Sequence, residues 1–266
     1  MFEEPRSGRL AVWGNAVISG AVAPDTALSE IVGDDAPHRV VGLPGEEGRV
    51  GLSLALGRLR ALGAVGLRVA LPAPGHPLGL CGPPEFNAAA LEAGEAVVVA
   101  GRAALGLVPE VVAVGPAGDE HVEVTWHCMP VREAPPADVP SLGEAERELA
   151  EAMHEATRAL ARLDVAGSGP AARAALAAYQ ARAAASRVGL APGYPPRATR
   201  VLELAGRIGG LLEIAVAPGS GEHGAAVSAS EIAARRAALL PVERTARRAR
   251  VAAYNAFVEE LWRRGL

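Results

Sequence analysis

Leu67-Arg-Val-Ala-Leu71, Pro72-Ala-Pro-Gly-His-Pro-Leu-Gly-Leu-Cys-Gly-Pro-Pro84, Glu85-Phe-Asn-Ala-Ala-Ala-Leu-Glu-Ala93 and Ala96-Val-Val-Val-Ala100 read in turn as a strand, a long Gly/Pro loop, a short helix and a second strand. Strand, helix, strand implies right-handed crossovers and a partly parallel sheet. Working upstream, Leu52, Leu56, Leu59 and Leu62 form a helical stripe, and His38 to Leu43 reads as another strand. Before it come helices over Leu10 to Gly20 and Pro24 to Val32, the second with proline and an acid in its first turn. Downstream, Val108 to Val114 and His121 to Met129 flank a Gly/Pro turn and read as a closing antiparallel hairpin. The expected domain, residues 1–133, is an α+β or α/β unit with a mixed sheet of about five strands.

Ala134 to Pro140 (APPADVP) ends that half, because closely spaced prolines resist helix and sheet alike. Residues 141–266 read as a bundle of four to five helices. Ser141 with Glu144 is a capping-box signature, followed by a stripe of Leu142, Ala145, Leu149, Met153, Ala156, Leu160 and Leu163. Pro170 opens an Ala-rich helix to about Ser186. Pro195 and Pro196 open another with Val201, Ala205, Ile208 and Leu212 as its core stripe. Pro218 to Gly224 reads as a flexible loop, and Ser228 with Glu231 caps the last segment, which Pro241 is expected to kink or restart.

Composition removes several chemistries. The chain has no lysine, so its 26 basic side chains are all arginines, which excludes Schiff-base chemistry and a Walker-type phosphate lysine. Gln180 is the only glutamine, and Asn15, Asn87 and Asn255 are the only asparagines, a bias that points to a GC-rich bacterial genome. Two cysteines, Cys81 and Cys128, make no disulfide framework and no CxxC, and the reading is of free thiols in a reducing cytoplasm. No stretch of about 18 apolar residues suggests a membrane span, and Met1 to Arg9 has no apolar leader core. The first 140 residues carry 9 Arg against 17 acids and the remainder 17 Arg against 13, so the halves differ in sign. With a net charge of -4 and 3% aromatics, a dedicated nucleic-acid binder is not expected.

Four places could carry function. Gly42-Leu-Pro-Gly45-Glu-Glu-Gly48-Arg49 lies between strand and helix as a phosphate cradle would, but its spacing is GxxGxxG and Glu46 and Glu47 would repel phosphate; a tight structural turn is the alternative. The loop with His76, Cys81, Glu85 and Asn87 could pair a thiol with a histidine, or be an extended surface loop fixed by its prolines. Together, Gly45, Gly48, Arg49, His76, Cys81, Glu85 and Asn87 form a candidate pocket for a small anion. Strand alternation puts Val122, Val124, Trp126 and Cys128 on a core face and His121, Glu123, Thr125 and His127 on the other; the two histidines, about 20 Å apart at strand rise, cannot share one metal ion. In the last helix, Leu239, Val242, Ala246, Ala249, Ala253 and Phe257 make the main apolar face, with Arg236, Arg244, Arg247 and Arg248 opposite. Val251, Tyr254, Val258 and Leu261 make a second apolar stripe, to be sandwiched internally or used as an interface between two copies.

The stretches GLPGEEGRVGLSLALGRLRALGAVGLRVALPAPGHPLGL, FNAAALEAGEAVVV and AAVSASEIAARRAALLPVERTARRARVAAYNA resemble conserved hypothetical proteins of high-GC actinomycete-type bacteria. The resemblance implies no activity and transfers no functional residue. The leading expectation is a non-catalytic cytoplasmic interaction or regulatory protein, with a homodimer or protein partner, no cofactor and no metal, because no nucleophile, base and orienting group converge. An enzyme or sensor for a small anionic ligand is the second reading, and nucleic-acid association through the C-terminal arginines the third.

Overall fold

Apolar runs too short to be helices pair into one sheet in the first half of the chain. The computed structural model describes residues 4–116, 118–132, 138–162, 190–216 and 229–265. Two compact units divide it: one takes residues 4–139, 190–195 and 254–266, the other 1–3, 140–189 and 196–253.

In the sheet unit the order is α1 (Arg6–Ile18), α2 (Pro24–Val32), β1 (Arg39–Val41), β2 (Val50–Gly51), α3 (Leu52–Ala61), β3 (Ala64–Ala70), α4 (Pro84–Ala93), β4 (Ala96–Gly101), β5 (Leu105–Val114) and β6 (His121–Pro130). The strands lie in the order β2-β1-β6-β5-β4-β3, a mixed six-stranded sheet. Its one parallel pair is β1 with β6, Val40 opposite Trp126. The crossover expected between the strands of Leu67 and Ala96 is absent, since β3 and β4 run antiparallel with Arg68 opposite Val98. The reason lies in the long loop: it descends the sheet, with Gly79 against Ala70 and the Gly82 carbonyl accepting from the Arg132 N–H, and α4 climbs back. Two passes return the chain to the end it left, so the next strand must reverse.

β3 and β4 are almost wholly buried because both faces are covered. Gly14 of α1 meets Leu67 on one face, and on the other Phe86 and Ala90 of α4 close a core with Ala70, Ala96, Val98 and Val108.

β3 is an edge strand, yet it is not open. The Asn15 side chain accepts from the Leu67 N–H at 2.6 Å and donates to the Leu67 carbonyl at 3.1 Å. Asn255 does the same for Val69, at 2.6 and 3.1 Å. Each amide thus replaces two ladder bonds that a further strand would make. Asn15 also donates to the Tyr194 hydroxyl, which donates to the Tyr254 carbonyl. Gly66 lets the last helix approach: a Cβ there would stand 2.7 Å from Val258 Cγ2.

The second unit holds α5 (Leu142–Arg162), α6 (Pro196–Val216) and α7 (Ala229–Arg263) up to Ala253. Ser141 and Glu144 form the capping box: the Ser141 N–H and hydroxyl donate to Glu144, and the Glu144 N–H donates back to Ser141 Oγ. Leu142, Ala145 and Leu149 of the expected stripe are buried, as are Val201, Ala205 and Ile208 in α6. α7 continues through Pro241 as one helix, so of the kink or restart expected there the restart does not occur; the proline is exposed and Thr245 Oγ1 donates to its carbonyl. The Pro170 helix, the Pro218 to Gly224 loop and Ser228 fall outside the described residues. The chain from Tyr254 onward, expected in the helical half, belongs to the sheet unit.

Candidate functional site

The two loops of the sequence-based pocket have separate attachments. Gly45 and Gly48 take φ of 82° and 75°, as glycine turns do, and the Gly45 turn is filled by Arg58 of α3, whose Nε donates to the Pro44 carbonyl at 3.0 Å. A guanidinium already occupying the turn, with Glu46 3.9 Å from it, makes this a tied structural turn in shape. Arg49 is exposed. In the second loop His76 faces Asp138 at 3.9 Å, Asn87 Oδ1 accepts from the Gly82 N–H at 2.9 Å, and Glu85 is exposed in the first turn of α4. No hydrogen bond or ion pair joins the two loops among the described residues. Both cysteines are free thiols. Burial raises the Cys81 pKa against the opposing pull of Arg68, and burial pushes Cys128 up to about 11, so neither is disposed to react as a thiolate.

One buried charged cluster escaped the sequence reading. Asp35 accepts Arg6 through Nε and Nη2, both at 2.8 Å, and Arg9 Nη2 at 2.8 Å. His38, wholly buried, lies 3.2 Å from Asp35 through Nε2, while its Nδ1 accepts from Trp126 Nε1 at 3.3 Å. That arrangement fixes a neutral imidazole with the proton on Nε2. Burial lowers the His38 pKa despite Asp35; burial also raises Asp35, but Arg6, His38 and Arg9 outweigh it and hold the carboxyl below its usual range. With both ring nitrogens engaged, His38 has no lone pair to offer a substrate. The cluster ties α1 and the start of β1 to β6.

Arg68 is the second residue the reading passed over. It is 7% exposed, Nε and Nη1 have no hydrogen-bond partner among the described residues, and the guanidinium carbon sits 5.2 Å from the centre of the Trp262 ring. Each unsatisfied buried donor costs about 1–3 kcal/mol, and arginine does not escape by deprotonating. Its signal was visible in Leu67-Arg-Val-Ala-Leu71: an ion in the middle of an apolar strand.

On β6, His127 pairs with Glu110 at 2.8 Å and His121 with Glu123 at 3.6 Å, separate exposed couples on the outward face. Val41, Ala89, Glu92, Glu110, His127 and Met129 border an open groove of about 650 Å³ beside α4. No group of three or more metal-ligating side chains occurs among the described residues. Of the helical stripe, Val251, Tyr254 and Val258 are buried within the chain itself and Leu261 is half-buried beside Ala100 and Phe257. Gly8 admits the Tyr254 ring, 2.7 Å from where its Cβ would be, so internal packing accounts for that side chain. Among the C-terminal arginines, Arg247 pairs with Glu243 and Arg248 with Glu148, which reduces the positive field of that face.

The β5–β6 hairpin is different in kind. β5 is buried from Leu105 to Pro109 and exposed from Glu110 to Val114. β4 pairs with β5 at Leu107 and Gly106 and does not reach the outer run. Val111, Val112 and Val114 are 44%, 46% and 37% exposed there. No described helix is long and apolar enough to cross a membrane.

No solved structure matches the chain. It is 30% identical to the uncharacterized proteins Rv1486c and MT1533 of two Mycobacterium tuberculosis strains, over 95% of this chain and 97% of each relative. It is 29% identical to the uncharacterized protein ML1804 of Mycobacterium leprae, over the same shares. The N-terminal domain of the Rv1486c-like family matches residues 7–140 and its C-terminal domain residues 143–251. With both domains matched in order, the chain belongs to the Rv1486c-like protein family.

Proposed function

We propose that the chain is a non-catalytic interaction or regulatory protein of the cytoplasm that works as a symmetric homodimer, joined through the outer half of β5. The observation that carries this is the edge Glu110-Val-Val-Ala-Val114, exposed, mostly apolar and unguarded among the described residues, with β4 stopping short of it. Such an edge seeks another strand. A second copy of the same run fits: laid antiparallel about Val112, Val111 stands opposite Ala113 and Glu110 opposite Val114, so valine meets small apolar side chains and no like charges face each other. The non-catalytic part is supported by the engaged nitrogens of His38, the protonated thiols and the scattered histidine–carboxylate couples. Two free thiols support a reducing compartment.

Multi-angle light scattering on wild type and Val112→Lys tests the reading. Wild type is expected at twice the chain mass. Val112→Lys, which places two ammonium groups against each other across the two-fold axis, is expected at one chain mass with unchanged circular dichroism. A monomeric wild type, or a Val112→Lys dimer as stable as wild type, overturns it.

A further inference from the structure

We infer that Arg68 anchors a binding site for a small monocarboxylate, with the Trp262 ring as its aromatic wall. The fold shows how it satisfies an arginine when structure alone is at stake: Arg6 and Arg9 both reach Asp35, with contacts of 2.8 Å. Arg68 is given nothing of the kind. The residue is more than nine-tenths buried, and among the described residues Nε and Nη1 meet neither a carboxylate nor a carbonyl. Its neighbours on that face of β3 are Gly66 and Ala70, with Val98 across the register. Trp262 covers it at 5.2 Å and is itself 47% exposed, so the side chain that covers the guanidinium also borders solvent. Cys81 lies close enough to interact electrostatically with the guanidinium, and burial holds it as a neutral thiol.

The ligand class follows from charge and shape. One guanidinium cancels one negative charge; a phosphate dianion would leave a residual charge against Ala70, Val98 and an indole, where nothing compensates it. Nη2 shares one donor fork with Nε and the other with Nη1; both are covered while Trp262 lies over the guanidinium, and once that exposed indole swings aside either fork matches the two oxygens of a carboxylate. An apolar or aromatic body on the acid would then lie against Trp262. Last in this helix, Val258 stands over Gly66 and Trp262, one turn on, over Arg68, so helix packing and ligand wall are parts of one stripe.

Isothermal titration of the full-length protein with benzoate, butyrate, benzamide and inorganic phosphate tests the inference. At least one of the two carboxylates is expected to bind at millimolar concentration or tighter and to change tryptophan fluorescence, while neutral benzamide and phosphate bind roughly tenfold more weakly or not at all. Arg68→Met is expected to abolish carboxylate binding while unfolding at the same or a higher temperature, because it removes an orphaned charge. Arg68→Lys keeps the charge without the fork and is expected to lose roughly tenfold in affinity. Absence of carboxylate binding, meaning a guanidinium that is merely hydrated, or binding that survives in Arg68→Met, overturns the inference. Phosphate binding tighter than either acid overturns the ligand class.

Discussion

Replacing Asn255 with alanine removes one amide and strands two backbone groups. The Val69 N–H loses its acceptor at 2.6 Å and the Val69 carbonyl its donor at 3.1 Å, in a position where Asn255 itself is only 6% exposed. An unsatisfied buried group costs about 1–3 kcal/mol, so two cost about 2–6 kcal/mol, and water reaching a strand edge brings the expected value to about 2–4 kcal/mol. Asn255→Asp should be no better, because a carboxylate accepts from the N–H but faces the carbonyl with a second acceptor and a buried charge. Asn87→Ala supplies the scale: it gives up one bond, to the Gly82 N–H, at a half-buried site, and about 1 kcal/mol is expected. Urea unfolding gives the total, and native-state hydrogen exchange at the Val69 amide gives the local part, which matters in a chain of two compact units that need not unfold together. An Asn255→Ala protein within about 0.5 kcal/mol of wild type, with Val69 exchanging as slowly as before, refutes the clamp.

Two other perturbations read the buried polar cluster and the helix stripe. Because the folded His38 pKa lies below its unfolded value of 6.5, stability is complete above that pH and is lost as pH falls below it, by at most about 1.4 kcal/mol per pH unit, with the Asp35 contribution failing only below about pH 4; denaturant melts between pH 8 and pH 5 should show the first loss, and His38→Gln should flatten it. Val258→Asp, at a site with no exposure and packed on Gly66, should unfold the sheet unit rather than release a folded monomer, because it buries an unpaired charge at a cost of several kcal/mol; near-native circular dichroism would contradict that placement.

Local signals were legible and distant ones were not. Pro24 to Val32, Ala96 to Ala100, the hairpin and the Ser141 box are each set by neighbours within a few residues, and each stands where the sequence puts it, to within a few residues. β2 escaped because two residues have no period to read. The direction of β4 escaped because it depends on how far the Pro72 to Pro84 loop travels, and prolines specify stiffness rather than path. Of the site residues, Cys81, Glu85 and Asn87 were recognisable as a polar loop. That Asn15 reaches 52 residues along to Leu67 and that Trp126 reaches back 88 to His38 are facts of tertiary packing. Arg68 alone had a local signature strong enough to be noticed, an ion flanked by Leu67, Val69 and Leu71.

The missing lysine gives these edges a common logic. Sheet edges are ordinarily blunted with lysine, which lays a long stem over the strand and keeps its charge in water. A chain without lysine has to do it otherwise. At one margin β2 is only two residues long, too short to template another strand. At the other, two of only three asparagines in the chain occupy the free groups of β3 directly, one from α1 and one from the last helix. Guarding both margins so closely makes the outer run of β5 conspicuous, since it has neither brevity nor, among the described residues, a clamp, and carries a single charge, Glu110, already paired with His127. An edge left open by neglect would be an aggregation hazard in every cell that made the protein. The proposed homodimer would cover that edge, and Val112 stands at its centre.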